Sequence, residues 1–522
     1  MLSQRRLFAP IFLVISIAAC SCSLEFRETG DSVGISQTLA AQLCAPCNSS
    51  HASTGGGTGS ASDPFLVCSA AQLAAIDTDC GTQSNWASKT FLQCVDLDLA
   101  GSVGNPSTPI CHGSSFLGTY DGGHKKITAF YFSNVSQSNV GLFEHLTGGT
   151  VVNLDLVNAT VSGNARVGSL VGLMDGGAQV LGCSSTGVSV TGASGDVGGL
   201  VGKMYDADNK IDHSSTSGIV TATGGGTYGG LIGTAVPNGM TTHYIWNSSS
   251  SATVSAATGS TVGGLIGYGD SGTRIVSSYA TGDVTGSGYT GGLAGFLDSG
   301  PGISRLDSSY ATGNVTSTGI GAGGLIGDIN YCEVRNSHAT GNVSGVDGSG
   351  GLIGYSSLHW STGLVSGSYA TGNVSGHDGV GGLIGDGMMA IDNVYATGNV
   401  TGNAHVGGLI GTTGDQAWWT GVSTTVPYLT NAFSKGSVTG TSSVGGLIGT
   451  AGLVAALNGS PSTTPVNALV VTDSYWDTTT SGQATSAAGT AKNTSLMQTA
   501  STYSTWPGTV WAIAGGSYPY LK

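Results

Sequence analysis

The sequence predicts an all-β protein: a right-handed parallel β-helix (β-solenoid) of about ten repeats of about 30 residues, with a cap at each end. Three observations predict it. The motif Gly-Gly-Leu-Ile-Gly stands at Gly263–Gly267, Gly323–Gly327, Gly350–Gly354, Gly381–Gly385, Gly407–Gly411 and Gly445–Gly449, and variants begin at Gly168, Gly198, Gly229 and Gly291. These ten copies recur at intervals of 26 to 38 residues, the period of a stacked-repeat architecture. Between copies there is no helical periodicity, only short strand-like runs broken by glycine turns, such as Arg274-Ile-Val-Ser-Ser-Tyr-Ala-Thr-Gly-Asp-Val. Parallel strands need crossovers, and in a β-helix the rest of the coil is the crossover, whose usual bias is right-handed.

Composition fits. Charged residues are 8% of the chain and Gly numbers 90, yet every repeat carries Val, Ile and Leu to bury, which argues against disorder. The net charge is −14 and the 15 basic residues are dispersed, so no stripe exists to neutralise a phosphate backbone and nucleic acid is excluded as a partner.

Five segments follow in order: 1–19, 20–62, 63–162, 163–455 and 456–522. Arg5 and Arg6 precede the apolar run Leu7–Ile17, too short for a comfortable membrane span, and then Ala18-Ala19-Cys20. Small residues before a cysteine resemble a bacterial lipobox, which implies lipidation of Cys20 and an outer-membrane anchor, with Cys22 the poorer candidate. Segment 20–62 reads as an irregular tether, rich in Gly, Ser and Thr over Ser53–Ser62. Cys44-Ala-Pro-Cys47 has redox or metal spacing, but neither a βαβ context nor a second Cys or His pair completes such a site, so no metal or cofactor is expected and a local disulfide or exposed loop is preferred. In segment 63–162, Ser69-Ala-Ala-Gln72 is a capping box before a short helix over about Ala70–Asp77. Strand-like runs follow at Thr90–Leu99, Ser115–Tyr120 and Lys126–Phe132. This is an atypical end unit, which a solenoid needs to cover its open edge.

Within each repeat the Leu-Ile pair is expected in the core, and the outer glycines of the motif at corners, through positive φ or close backbone approach. Stacking puts like residues about 4.8 Å apart. Tyr279, Tyr310, His338, Tyr369, Tyr395 and Phe433 should form an aromatic ladder. Asp283, Asn314, Asn342, Asn373 and Asn399 should form an amide ladder bonded from coil to coil.

The stretches Asp63-Pro-Phe-Leu-Val-Cys-Ser-Ala-Ala-Gln-Leu, Phe91-Leu-Gln-Cys-Val-Asp-Leu-Asp-Leu and Phe116-Leu-Gly-Thr-Tyr-Asp-Gly-Gly-His-Lys-Lys-Ile resemble the start of GLUG-repeat bacterial surface proteins. The Gly-Gly-Leu-Ile-Gly units resemble their repeat, and Ser474-Tyr-Trp-Asp, Trp506, Trp511 and Tyr518-Pro-Tyr-Leu521 their C-terminal end. The resemblance covers about 63–522. It implies that Cys68 and Cys94 lie in neighbouring strands of the cap, which favours that pair as a disulfide, with Cys80 and Cys111 next; connectivity itself is not derivable from sequence. GLUG repeats also accompany metallopeptidase domains, but no His-Glu-x-x-His occurs here.

No catalytic constellation emerges. Gly269-Asp-Ser-Gly272 imitates a serine-protease loop but reads as a turn. Asp96, Asp98, Asp121, Glu144, Asp155 and Asp283 are the acids available for polysaccharide cleavage, and read as turn and cap hydrogen-bonders. Exposed aromatics are better pointers: Trp246, Trp360, Trp418 and Trp419, with Tyr244, lie in or near variable loops, where they either form a binding face, as solenoid loops commonly do, or cover the core at those turns. The expectation is a non-enzymatic, lipid-anchored, monomeric surface protein that engages a glycan or protein ligand through inter-repeat loops. The alternatives are a polysaccharide-acting β-helix enzyme or a purely structural envelope component.

Overall fold

The computed structural model describes residues 34–522 apart from 51–53, 83–87, 101–107, 207, 240, 257, 259, 301, 357–362, 388, 414–426 and 452–468. The expected signal segment, Cys20, Trp360, Trp418 and Trp419 therefore lie outside the described residues.

The chain winds as a right-handed parallel β-solenoid of about eleven turns. The coils of the repeat region contribute to three sheets. One has eleven strands, from Phe143–Thr147 to Ile448–Thr450. A second has nine, from Gly195–Gly198 to Ser442–Gly445. The third and largest takes two or three short strands from each coil, such as Arg274–Val276, Tyr279–Ala280 and Val284–Gly286. The register superposes equivalent motif positions, so that Ile266, Ala294, Ile326, Ile353, Ile384, Ile410 and Ile448 pair in succession.

Gly-Gly-Leu-Ile-Gly forms the corner between the nine- and eleven-stranded sheets. Leu325 and Ile326 are fully buried, as are the Leu and Ile of the other exact copies. The glycines serve close approach: none of those in the ten motifs has positive φ. A Cβ on Gly323 would lie 1.8 Å from the Ile326 carbonyl oxygen, and one on Gly324 would lie 2.1 Å from the Gly351 oxygen of the next coil. Positive φ occurs instead at another corner, where Ser277, Ser308, Asn336, Asn393 and Asn431 take left-handed conformations that short polar side chains tolerate.

The N-terminal end is closed by the helix Ala70–Thr82, longer than the capping box predicts. Leu73 and Ile76 face the core. Ser69 Oγ accepts the Gln72 N–H, while Gln72 Oε1 reaches one residue past the N-cap to accept the Cys68 N–H at 2.7 Å. The stretch read as a tether contains a second helix, Gln37–Leu43, which Ser36 caps. Its short apolar face, Ala40 and Leu43, packs with Leu66 and Leu92.

Three disulfides staple this end: Cys44–Cys94, Cys47–Cys68 and Cys80–Cys111. The favoured Cys68–Cys94 bond is therefore corrected. Those residues do follow neighbouring parallel strands, Phe65–Val67 and Thr90–Gln93, but the helix lays Cys44 and Cys47 over both and each pairs across. The local Cys44–Cys47 disulfide is corrected for the same reason. Cys183 and Cys332 are free, and burial pushes each thiol up to about 12.

At the other end Asp477, fully buried, organises the cap. Its Oδ1 accepts the Thr479 and Thr480 N–H groups, and its Oδ2 accepts the hydroxyls of Thr494 and Tyr518. The Trp476 ring covers Gly446, where a Cβ would meet it at 2.0 Å. Trp506, Trp511, Tyr503 and Tyr475 cluster with Phe433 on the outer face of the last coils.

Candidate functional site

The face carrying the Ser-Tyr-Ala-Thr-Gly-Asn-Val segments is the most regular surface among the described residues. Along it the chain alternates buried and outward positions, as a strand must when one side is core. Ala280, Ala311, Ala339, Ala370 and Ala396 point inward. The outward positions form columns.

The first column is aromatic. Tyr279, Tyr310, His338, Tyr369, Tyr395 and Phe433 stack with centroids 4.7 to 5.2 Å apart and planes within 11° of parallel. The coil spacing dictates this stacking, and it covers the ring faces with other rings. Burial in the stack lowers the His338 pKa and raises that of Tyr369. Thr281, Thr312, Thr340 and Thr371 are exposed in the second column.

The third column is the amide ladder. Asn314 donates its backbone N–H to Asp283 Oδ1 at 2.8 Å. Asn342 donates to Asn314 Oδ1, Asn373 to Asn342 Oδ1, Asn399 to Asn373 Oδ1 and Ser437 to Asn399 Oδ1, at 2.9 to 3.1 Å. Thr316, Ser344, Ser375 and Thr401 follow as an exposed hydroxyl column. Between the amide and hydroxyl columns, over buried Val315, Val343 and Val374, runs a shallow trough of about 550 Å³ spanning four coils.

Beneath the surface lies a column that sequence reasoning missed. Ser214, Ser248, Ser278, Ser309, Ser337 and Ser368 are buried, each Oγ from Ser248 on accepting the N–H of the serine in the preceding coil. The recurrent Ser before Tyr was the available signal. The column stops where Val394 stands opposite Ser368.

At the C-terminal end of the aromatic ladder, a second cavity of about 540 Å³ opens between Tyr395, Phe433, Lys435, Gln498, Tyr518 and Tyr520. Lys435 Nζ sits 4.5 Å from the Tyr518 ring centre.

Trp246 belongs to the strand Tyr244–Trp246, not to a loop. It is half-buried, edge-on to Tyr244 at 4.9 Å and beneath Lys210 Nζ at 4.9 Å. Ser271 of the protease-like Gly-Asp-Ser-Gly is buried, and its Oγ bonds to Asp270.

The acids of segment 63–162 are engaged in local bonding. Asp96 accepts the Lys126 N–H, Asp98 the Ala100 N–H and Asp155 the Ser184 hydroxyl. Asp121 accepts the Ile35 and Gly123 N–H groups, and Glu144 lies 2.5 Å from His112 Nδ1. One array resembles an activated serine. Ser115 Oγ is 3.0 Å from His145 Nδ1, and His145 Nε2 is 2.8 Å from Asp175 Oδ2. An acyl-transfer site also needs N–H donors for the oxyanion. The Gly113, Ser114 and Phe116 N–H groups are already bonded to Glu144, the Cys111 oxygen and the His145 oxygen. The array thus ties three successive coils together. Asp328 and Asp386 stand two coils apart around Tyr355, but Asp328 is buried and holds the Tyr289 hydroxyl.

No family model matches the chain. A stretch of it is 33% identical over 186 residues to halomucin of Haloquadratum walsbyi, covering 34% of this chain and 2% of halomucin. The chain thus spans about 2% of the length of that relative. Among solved structures, a candidate immunoglobulin A1 protease from Bacteroides ovatus is 16% identical, with 89% of this chain and 94% of that one covered and a TM-score of 0.32.

Proposed function

We propose that this chain is a non-enzymatic, lipid-anchored surface protein of the GLUG-repeat type, and that its solenoid holds an extended glycan along the amide-lined trough. The trough itself carries this reading. Its two banks present amides and hydroxyls at every coil, about 4.8 Å apart. That spacing is close to the advance of one sugar in an extended β-linked chain, so successive sugars would meet equivalent partners. The low charge of the face suits a neutral polyhydroxylated ligand better than a polyanion. A shallow site of this kind gains affinity by repetition along the polymer, as linked weak sites do. The hydrogen-bonded acids of segment 63–162 and the engaged N–H groups beside Ser115 support the non-enzymatic reading. Anchoring through Cys20 would set the solenoid on the membrane surface.

The test is retention of the full chain on insoluble and arrayed polysaccharides. Replacing Thr316, Ser344, Ser375 and Thr401 by Val or Ala should weaken retention at least about tenfold, or about 1.4 kcal/mol. The thermal midpoint should stay unchanged, because these side chains are exposed. Unchanged retention in that variant would overturn the reading.

A further inference from the structure

Four of the six disulfide cysteines meet at one place. Cys44 and Cys47 lie on a turn at the end of the helix Gln37–Leu43, where the Cys47 N–H bonds the Cys44 carbonyl at 3.0 Å. Cys68 and Cys94 follow two parallel strands in register. The Sγ atoms of Cys47, Cys68 and Cys94 all lie within 4.8 Å of one another, and Cys44 Sγ is bonded to that of Cys94.

The surroundings are built around these sulfurs. Gly55 leaves the room that Cys68 Sγ fills: a Cβ there would lie 2.1 Å from it. Ala40, Leu66 and Leu92 form an apolar shell. Gln72 is fully buried, accepts the Cys68 N–H and donates to the Asn48 carbonyl, tying the strand to the turn.

We propose that Cys44, Cys47, Cys68 and Cys94 constitute a zinc site whenever their two disulfides are opened, and that the metal then holds residues 34–50 against the first coil in place of the covalent staples. Structural zinc takes four thiolates in a tetrahedron with Zn–S near 2.3 Å, which sets the sulfurs roughly 3.8 Å apart. The sulfurs of Cys47, Cys68 and Cys94 already lie within 4.8 Å of one another, and Cys44, bonded to Cys94, joins them by rotating its side chain once that bond opens. A Cys-x-x-Cys turn supplying two ligands is the usual half of such a site. The other half is invisible in the sequence, because two strand ends bring it together.

The chemistry balances with a dithiol as reductant. Two dithiol molecules each give two electrons and two protons to one disulfide and leave as cyclic disulfides. The four protein thiols then lose four protons to the buffer as Zn²⁺ binds. Cys183 and Cys332 are buried elsewhere and do not compete.

The experiment uses the full chain with Cys20→Ser and Cys22→Ser, reduced without oxygen and titrated with Zn²⁺ and, separately, with Co²⁺. The expected result is one tightly held metal per chain and the visible bands of tetrahedral cobalt thiolate. Cys80→Ser/Cys111→Ser should leave both intact, and Cys44→Ser/Cys47→Ser should abolish both while β-sheet circular dichroism persists. Limited proteolysis should cut residues 34–50 in the reduced, metal-free chain and spare them once zinc is added. Absence of stoichiometric metal overturns the proposal. So does a cobalt spectrum that survives Cys44→Ser/Cys47→Ser.

Discussion

At the scale of single residues, the structure assigns the motif glycines to contact and not to conformation. Gly324 has no left-handed φ, yet a methyl group there would press on the Gly351 oxygen of the neighbouring coil at 2.1 Å. That obstacle is backbone held in a ladder and cannot yield as a flexible side chain would. Gly324→Ala should therefore destabilise by about 3 kcal/mol. Gly508→Ala, at a position with nothing within 4 Å, should be nearly neutral, and chemical denaturation of the two variants measures the contrast. His243 is a second case where local environment decides. It is fully buried, and burial lowers its pKa from 6.5 to about 4. The folded value lies below the unfolded one, so the unfolded chain takes up the proton first as pH falls. This contribution is whole above about pH 6.5 and is lost progressively down to about pH 4, in total roughly 3 kcal/mol. Denaturation at pH 7 and pH 4.5 should show it as a component of the pH dependence that His243→Phe removes.

At the scale of elements, stacking turns short segments into columns, and the columns differ in worth. The Ser337 hydroxyl is buried, donates to the Arg335 carbonyl at 2.6 Å and accepts the Ser309 N–H at 3.1 Å. Ser337→Ala would strand that N–H away from water, at a cost of about 2 kcal/mol. Asn373 makes a similar bond to the Asn399 N–H, but it is exposed and water can replace it. Asn373→Ala should cost less than about 1 kcal/mol. Urea midpoints for the two variants should rank in that order; the reverse order would mean that the outer ladder, not the inner one, holds the coils together. The aromatic column was legible from the recurring Tyr at one repeat position, because a solenoid superposes equivalent residues. Stacking leaves these rings only their edges to offer a ligand, because each face is covered by the next ring.

At the scale of the whole solenoid, the open ends are the hazard. A parallel stack presents a strand edge and core side chains at each end, a template for another chain. Here the helix Ala70–Thr82 covers one end, and the Trp476 ring over Gly446, with Ser486 bonded to the Leu447 and Ile448 N–H groups, covers the other. Deleting residues 478–522 would uncover the strand Val470–Asp477 and its buried aromatics. The truncated chain should associate with rising concentration, and light scattering coupled to size-exclusion chromatography should show it while the full chain keeps one mass.

The sequence by itself determined the coil. The period of the glycine motif, the paired Leu and Ile, and the strand-length runs admit one economical solution, because a residue repeated at one position in each of ten coils must occupy one environment. It also marked the helix after Ser69, since a capping box is local chemistry. Tertiary structure alone decided what distant segments do together. The resemblance to GLUG-repeat proteins offered Cys68 and Cys94 as partners, and the strands do put them side by side. The helix Gln37–Leu43 then brings Cys44 and Cys47 over them, and pairing follows proximity among four sulfurs. Trp246 read as lying in or near a variable loop, yet pairing with Lys210–Asp212 and Arg274–Val276 holds it in the sheet. The trough arises in the same way. No single repeat contains it, because its two banks become continuous only when four coils lie in register.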